Sequence, residues 1–112
     1  MKKSSQAVYS TRTRQALEVL AGMIKAARKE RNMSQAELAE RLGVSRLTAI
    51  AIEKGNPRVA VGTVFEAAAI VGVPLIAQDQ HELDQLSNRL AVITHVLPKR
   101  SGRKSAPIED DF

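Results

Sequence analysis

The run Ser34-Gln35-Ala36-Glu37-Leu38-Ala39-Glu40-Arg41-Leu42-Gly43-Val44-Ser45-Arg46-Leu47-Thr48-Ala49-Ile50-Ala51-Ile52-Glu53-Lys54-Gly55 decides how this chain folds. Ser34 and Glu37 form a capping box: the hydroxyl accepts from the backbone N–H of Glu37, while the glutamate reaches back to the N–H of Ser34. The helix it opens runs through Leu42, with Leu38, Ala39 and Leu42 facing inward. Gly43 supplies the positive φ that ends it, and Val44 is the hydrophobic plug that follows. Ser45 caps the next helix, which extends to the neighbourhood of Lys54. Two helices separated by one glycine-centred turn cannot lie antiparallel, so they cross steeply.

Working outward, an upstream helix starts at Arg12 or Thr13 and ends near Asn32. Leu17, Leu20, Ile24 and Ala27 recur on it at steps of three and four, with Lys25, Arg28, Lys29 and Arg31 opposite. Gly22 weakens its middle slightly. Met1 to Ser10 is polar and turn-prone, the composition of a flexible arm. Downstream, Lys54-Gly55-Asn56-Pro57 breaks the chain before a fourth helix that starts at Gly62 or Thr63 and runs to Val71. Its one face is Val64, Ala67, Ala68 and Val71, and Gly72 ends it. Val73-Pro74-Leu75-Ile76-Ala77 is either a short edge strand able to form a dimer or a packed linker, the proline excluding a central strand.

Asp79-Gln80-His81-Glu82 repeats the capping pattern. Leu83, Leu86, Leu90, Ile93 and Leu97 then alternate steps of three and four until Pro98, two heptads of an apolar seam. Such a seam must be covered, either by its own domain, by a second copy, or by a partner protein. Residues 98–112 place Lys99, Arg100, Arg103 and Lys104 before Glu109, Asp110 and Asp111, and are too polar to fold alone. The expected division is an arm at 1–11, a helical domain at 12–77, a C-terminal helix at 78–97 and a disordered charged tail at 98–112.

Composition narrows the chemistry. The length of 112 residues fits one small domain with tails. Zero cysteines remove disulfides and cysteine-type zinc sites, and 3% aromatics argue against stacking platforms for single-stranded nucleic acid. No apolar run approaches the ~20 residues of a membrane span, and polar residues interrupt the start where a signal peptide would need an apolar core. A soluble cytoplasmic protein is the expectation. The net charge of +5 is uneven: residues 1–60 carry 12 Lys/Arg against 5 Glu, residues 61–112 carry 5 against 7 acids. The first half therefore favours an anionic partner. His81 and His95 are not at metal-pair spacing, no glycine-rich loop suits a phosphate cradle, and no Ser, His and acid gather as a nucleophile setting. Neither an enzyme, a metal nor a cofactor is expected.

A capped helix, a glycine turn and a second capped helix make a helix-turn-helix, whose second helix fits a major groove about 12 Å wide. A-form RNA excludes a helix from its narrow groove, which favours duplex DNA. Leu20 to Leu75 resembles the helix-turn-helix domain of the Xre/Cro phage-repressor family. The resemblance rests on Ser34-Gln35-Ala36-Glu37-Leu38-Ala39, Leu42-Gly43-Val44-Ser45 and Ile52-Glu53-Lys54-Gly55. It implies an all-α fold, a compact four-helix lambda-repressor-like domain with a C-terminal helical extension and flexible tails.

Carried over by that resemblance, Gln35 would touch a phosphate at a helix N-terminus, and Arg46 and Leu47 would read base edges with Ala51 one turn on. Ser45 and Thr48 would make phosphate or cap contacts, and Lys54 and Arg58 would grip the backbone. Ala49 and Ile52 would be buried. Arg28 and Glu53 would form a structural ion pair, apart from the binding site. The reading face departs from the pattern in being apolar at Leu47, Ile50 and Ala51, leaving Arg46 as its one strong hydrogen-bonding side chain. Leu47 and Ile50 have a second reading as core, Leu47 otherwise meeting a thymine methyl.

A helix-turn-helix unit reads few base pairs, so a homodimer on a palindromic operator is expected, with Leu75, Ile76, Leu83, Leu86, Leu90, Ile93 and Leu97 as its dimer or partner surface. The apolar segment, added helix and charged tail also look like antitoxins of the HipB type. That resemblance implies a HipA-like kinase toxin as partner and repression of the shared operon. The alternative is a stand-alone Xre-type regulator without a toxin.

Overall fold

The computed structural model describes residues 8–96. They form five helices: α1 Thr11–Glu30, α2 Gln35–Leu42, α3 Arg46–Glu53, α4 Val61–Val71 and α5 Gln80–Val96. Among the described residues there is no strand, so the all-helical expectation holds. The chain divides between Ile76 and Ala77 into two units, one holding α1 to α4 and the other α5.

Each helix of the first unit begins and ends for a local reason. Ser10, read from sequence as part of the arm, is the cap of α1, its Oγ accepting from the N–H of Thr13 at 3.1 Å. The helix stops at Glu30, and Asn32 turns the chain away at φ 56°, a left-handed conformation that asparagine tolerates. Ser34 Oγ accepts from the N–H of Glu37 at 3.0 Å. The expected return bond is not made, because Arg41 one turn later takes the Glu37 carboxylate at 3.1 Å instead. Gly43 ends α2 at φ 74°, where a Cβ would be strained, and the N–H of Val44 bonds the carbonyl of Ala39. Ser45 starts α3, accepting from Thr48 N–H at 3.1 Å.

Ile24, Met33, Leu38, Ile52, Ala67, Ala68, Val71 and Val73 make one core, with Leu20, Ala27, Leu42, Val59, Val64, Ile70 and Leu75 packed around it. Ile24, Leu38 and Val71 are fully buried, each contributing about 1.5–3 kcal/mol relative to exposure. Of the four cations expected opposite the apolar face of α1, Arg28 is instead buried, because Glu53 meets it there.

Val73 to Ala77 forms no strand, although Leu75 and Ala77 each stand at an isolated β-bridge position. Val73 is buried and Leu75 is half-buried against the core. Ile76 sits at φ 67° and is exposed, which breaks the extended alternation a strand needs. A left-handed backbone at a β-branched residue costs about 1–2 kcal/mol.

In the second unit Asp79 Oδ1 accepts from the N–H of Glu82 at 2.9 Å. The Glu82 carboxylate reaches past Asp79 to the N–H of Gln78, at 2.7 Å. No residue of α5 is buried. Leu83, Leu90 and Ile93 are exposed and Leu86 is half-buried. Leu97, most of the arm and the charged tail lie outside the described residues.

Candidate nucleic-acid interface

The α2–turn–α3 pair is held from one side only. Ala49 and Ile52 point into the core at 0% and 2% exposure, which fixes the roll of α3 about its axis. Its C-terminal end is fixed by charge. Arg28 Nε donates to Glu53 Oε2 at 2.6 Å and Nη2 to Oε1 at 3.0 Å, while Nη1 donates to the carbonyl of Met33 at 2.7 Å. Hydrogen bonding to Glu53 raises the pKa of the Arg28 guanidinium above its ordinary value, against the opposing effect of burial. Among the described residues no buried side-chain polar atom lacks a partner.

With that side anchored, helical spacing turns Leu47, Ile50, Ala51 and Lys54 to the other side. Leu47 is 76% exposed, so it is not a core residue, whereas Ile50 and Ala51 are half-buried. Arg46 is exposed at the first position of α3. Ser45 Oγ and Thr48 Oγ1 lie 3.2 Å apart, so both hydroxyls serve the cap while remaining at the outer end of the helix. Lys54 and Arg58 are exposed in the loop after α3, where Asn56 Oδ1 accepts from the N–H of Arg58 at 2.8 Å and shapes the turn. Arg46, Lys54 and Arg58 enter no ion pair among the described residues.

Gln35 is placed differently from the simplest expectation. Its Nε2 donates to Glu53 Oε1 at 3.1 Å, tying the start of α2 to the end of α3. That side chain still stands at a helix N-terminus, where backbone N–H groups favour anions. A second such terminus escaped the sequence reading: Ala60 caps α4 without a side-chain hydrogen bond. The signal for it is the absence of any Ser, Thr, Asn or Asp in Val59-Ala60-Val61-Gly62.

The arrangement presents Ser45, Arg46, Leu47, Thr48, Ala51 and Lys54 on or beside one short helix, narrow enough for a major groove. Arg58 stands in the loop beyond it. Leu83, Leu86, Leu90 and Ile93 belong to the other unit.

Residues 24–77 match the family model described as Helix-turn-helix. No curated protein and no solved structure gives a significant match. No helix among the described residues is long and apolar enough to cross a membrane. The matched span takes in the last third of α1, which carries Arg28, and the whole of α2, α3 and α4. That span is a helix-turn-helix domain, and the match supports a DNA-binding transcriptional regulator.

Proposed function

We propose that the chain is a sequence-specific repressor that binds a palindromic operator as a homodimer, inserting α3 in the major groove of each half-site. The observation that carries this reading is the exposed side chain of Leu47 beside exposed Arg46, on a helix whose opposite side is locked by Ala49, Ile52 and Glu53. Arg46 bonds a guanine edge bidentately and Leu47 meets a thymine methyl, while Gln35, Ser45, Thr48, Lys54 and Arg58 hold phosphates. Ala51 lets the helix approach closely. With a single strong base-reading side chain, part of the specificity comes from duplex shape.

The dimer is drawn together by α5, through Leu83, Leu86, Leu90 and Ile93, with Leu75 and Ile76 of the first unit as further dimer residues. Two units so joined face half-sites about 34 Å apart. Selection of bound duplexes from a random pool tests the proposal. It predicts a two-fold symmetric motif, and a binding constant falling with salt at a logarithmic slope of about −0.9 for each phosphate neutralised. Recovery of no motif, with a flat salt response, contradicts it.

The exposed apolar seam of α5 favours a second role, an antitoxin that neutralises a HipA-like kinase toxin and represses the shared operon. The alternative is a stand-alone Xre-type regulator with no toxin partner. Co-expression with the product of the adjacent gene separates them. A stable complex lost on Leu90→Asp and kept on Arg46→Ala supports the antitoxin, and no kinase-like neighbour leaves the regulator alone.

A further inference from the structure

We infer that the outer face of α1 is a self-association surface, on which the α1 of a second copy docks antiparallel, separate from the seam of α5. Helix α1 is apolar on two sides. Its inner side enters the core through Ala21 and Ile24. Its outer side carries Ala16, Val19, Met23 and Ala26, all exposed, Val19 at 54% and Met23 at 45%. Gly22 stands beside them, with nothing within 4 Å of where a Cβ would be. Such a surface on a helix of a folded domain asks for a cover.

The order of residues identifies the cover as a second copy. Arg12, Ala16, Val19, Met23, Ala26 and Glu30 follow one another at steps of four, three, four, three and four, so they form one continuous seam about 27 Å long. The seam is symmetric about the level of Ala21. Arg12 and Glu30 are equally distant from it, as are Ala16 and Ala26, and Val19 and Met23. An isologous contact requires residue i to meet j wherever j meets i. Two antiparallel copies crossing at Ala21 meet that condition: Val19 lies against Met23, Ala16 against Ala26, and Arg12 against Glu30 at both ends. The small side chains let the axes approach, and the end pairs are of opposite charge. Arg12 and Glu30 are exposed and enter no ion pair among the described residues. A parallel pairing would instead bring Arg12 to Arg12 and Glu30 to Glu30. Because this seam and α5 are different helices, one chain has two self-association surfaces, and dimers bound to neighbouring operators are joined through α1. The contact is small, so it forms at high protein concentration or on DNA.

Sedimentation velocity of the full chain without DNA, at low ionic strength, tests the inference. Every chain also carries Leu90→Asp, so that association through α5 does not enter the reading. Concentration-dependent dimerisation is expected, weakened about tenfold by Arg12→Glu or by Glu30→Arg alone and restored when the two are combined. Val19→Asp abolishes it and leaves the thermal melt unchanged at a dilution where the parent chain is monomeric. A chain that stays monomeric throughout, single reversals without effect, or a double reversal that does not restore association overturns the inference. So does a melt lowered by Val19→Asp at that dilution, which would mean that the face is covered within one chain.

Discussion

Arg28 on α1 and Glu53 at the end of α3 meet in a buried two-point contact, Nε to Oε2 at 2.6 Å and Nη2 to Oε1 at 3.0 Å. Two further groups depend on it, since Arg28 also holds the Met33 carbonyl and Glu53 also holds Gln35. The pair thus fixes the angle at which α3 leaves the body of the domain. Removing one partner leaves the other charge buried and unpaired. Arg28→Met or Glu53→Leu alone is expected to cost about 3–5 kcal/mol in urea unfolding. Combining them recovers part of the loss, though not all, because Met33 and Gln35 lose their partners too.

The same pair sets a pH expectation. The folded pKa of Arg28 is raised, chiefly by its hydrogen bonding to Glu53. Stability from that shift is fully present below the ordinary guanidinium value and is lost only as pH rises through the raised one. The Arg28 contribution therefore stays constant from pH 6 to pH 9. A melting temperature that falls through this range in the wild type but not in Arg28→Met would contradict it.

Gly55 and Gly43 separate two reasons for a glycine. Both have positive φ, 75° and 74°, but a Cβ on Gly43 meets open space while one on Gly55 comes within 3.2 Å of the Leu17 carbonyl oxygen. Gly43→Ala carries the conformational cost alone, about 1 kcal/mol. Gly55→Ala adds a contact with helix backbone, which cannot move aside as a side chain can. Denaturant midpoints are expected to fall further for Gly55→Ala, and equal losses would contradict the close approach.

Ser34→Ala and Ser45→Ala each remove a side-chain acceptor from a helix start and are expected to cost about 1 kcal/mol. For a domain of this size that lowers Tm by about 4–8 °C. Ser10→Ala tests the cap of α1 in the same way.

Leu47 provides the complementary control. At 76% exposure it contributes little to the core, so Leu47→Ala leaves the melt within about 0.5 kcal/mol of wild type. Operator affinity falls nonetheless. A large loss of stability would place Leu47 in the core.

The parts of the fold legible in the sequence are those fixed by a few neighbouring residues. Ser34, Gly43 and Ser45 announce the ends of α2 and α3 because a cap needs only a side-chain oxygen or a missing Cβ at the right place. The inward positions of Leu38, Ala39, Ala49 and Ile52 follow from helical spacing. What stayed hidden depends on competition or on distant partners. Glu37 had two candidate bonds, and the sequence does not rank Arg41 above the N–H of Ser34. Gln35 meets Glu53 only because α2 and α3 cross as they do. Periodicity alone put Arg28 among solvent-facing cations, and only the family resemblance paired it with Glu53. Ile76 combines a β-branched side chain with a left-handed backbone, which no propensity anticipates. In the candidate interface, the exposure of Leu47 removes the core reading that its apolar character left open, while the uncapped start of α4 is visible only as a missing residue type.

The central claim is that the outer surface of α3 lies in a major groove and reads bases through Arg46. Its most direct test is the affinity of wild type and Arg46→Ala for the selected duplex and for variants of it at each position, at fixed salt. The account predicts that Arg46→Ala folds as wild type, binds at least about 30-fold more weakly because each dimer loses two such contacts, and no longer discriminates at one guanine in each half-site. An Arg46→Ala chain that binds with wild-type affinity and unchanged preference at every position would contradict it.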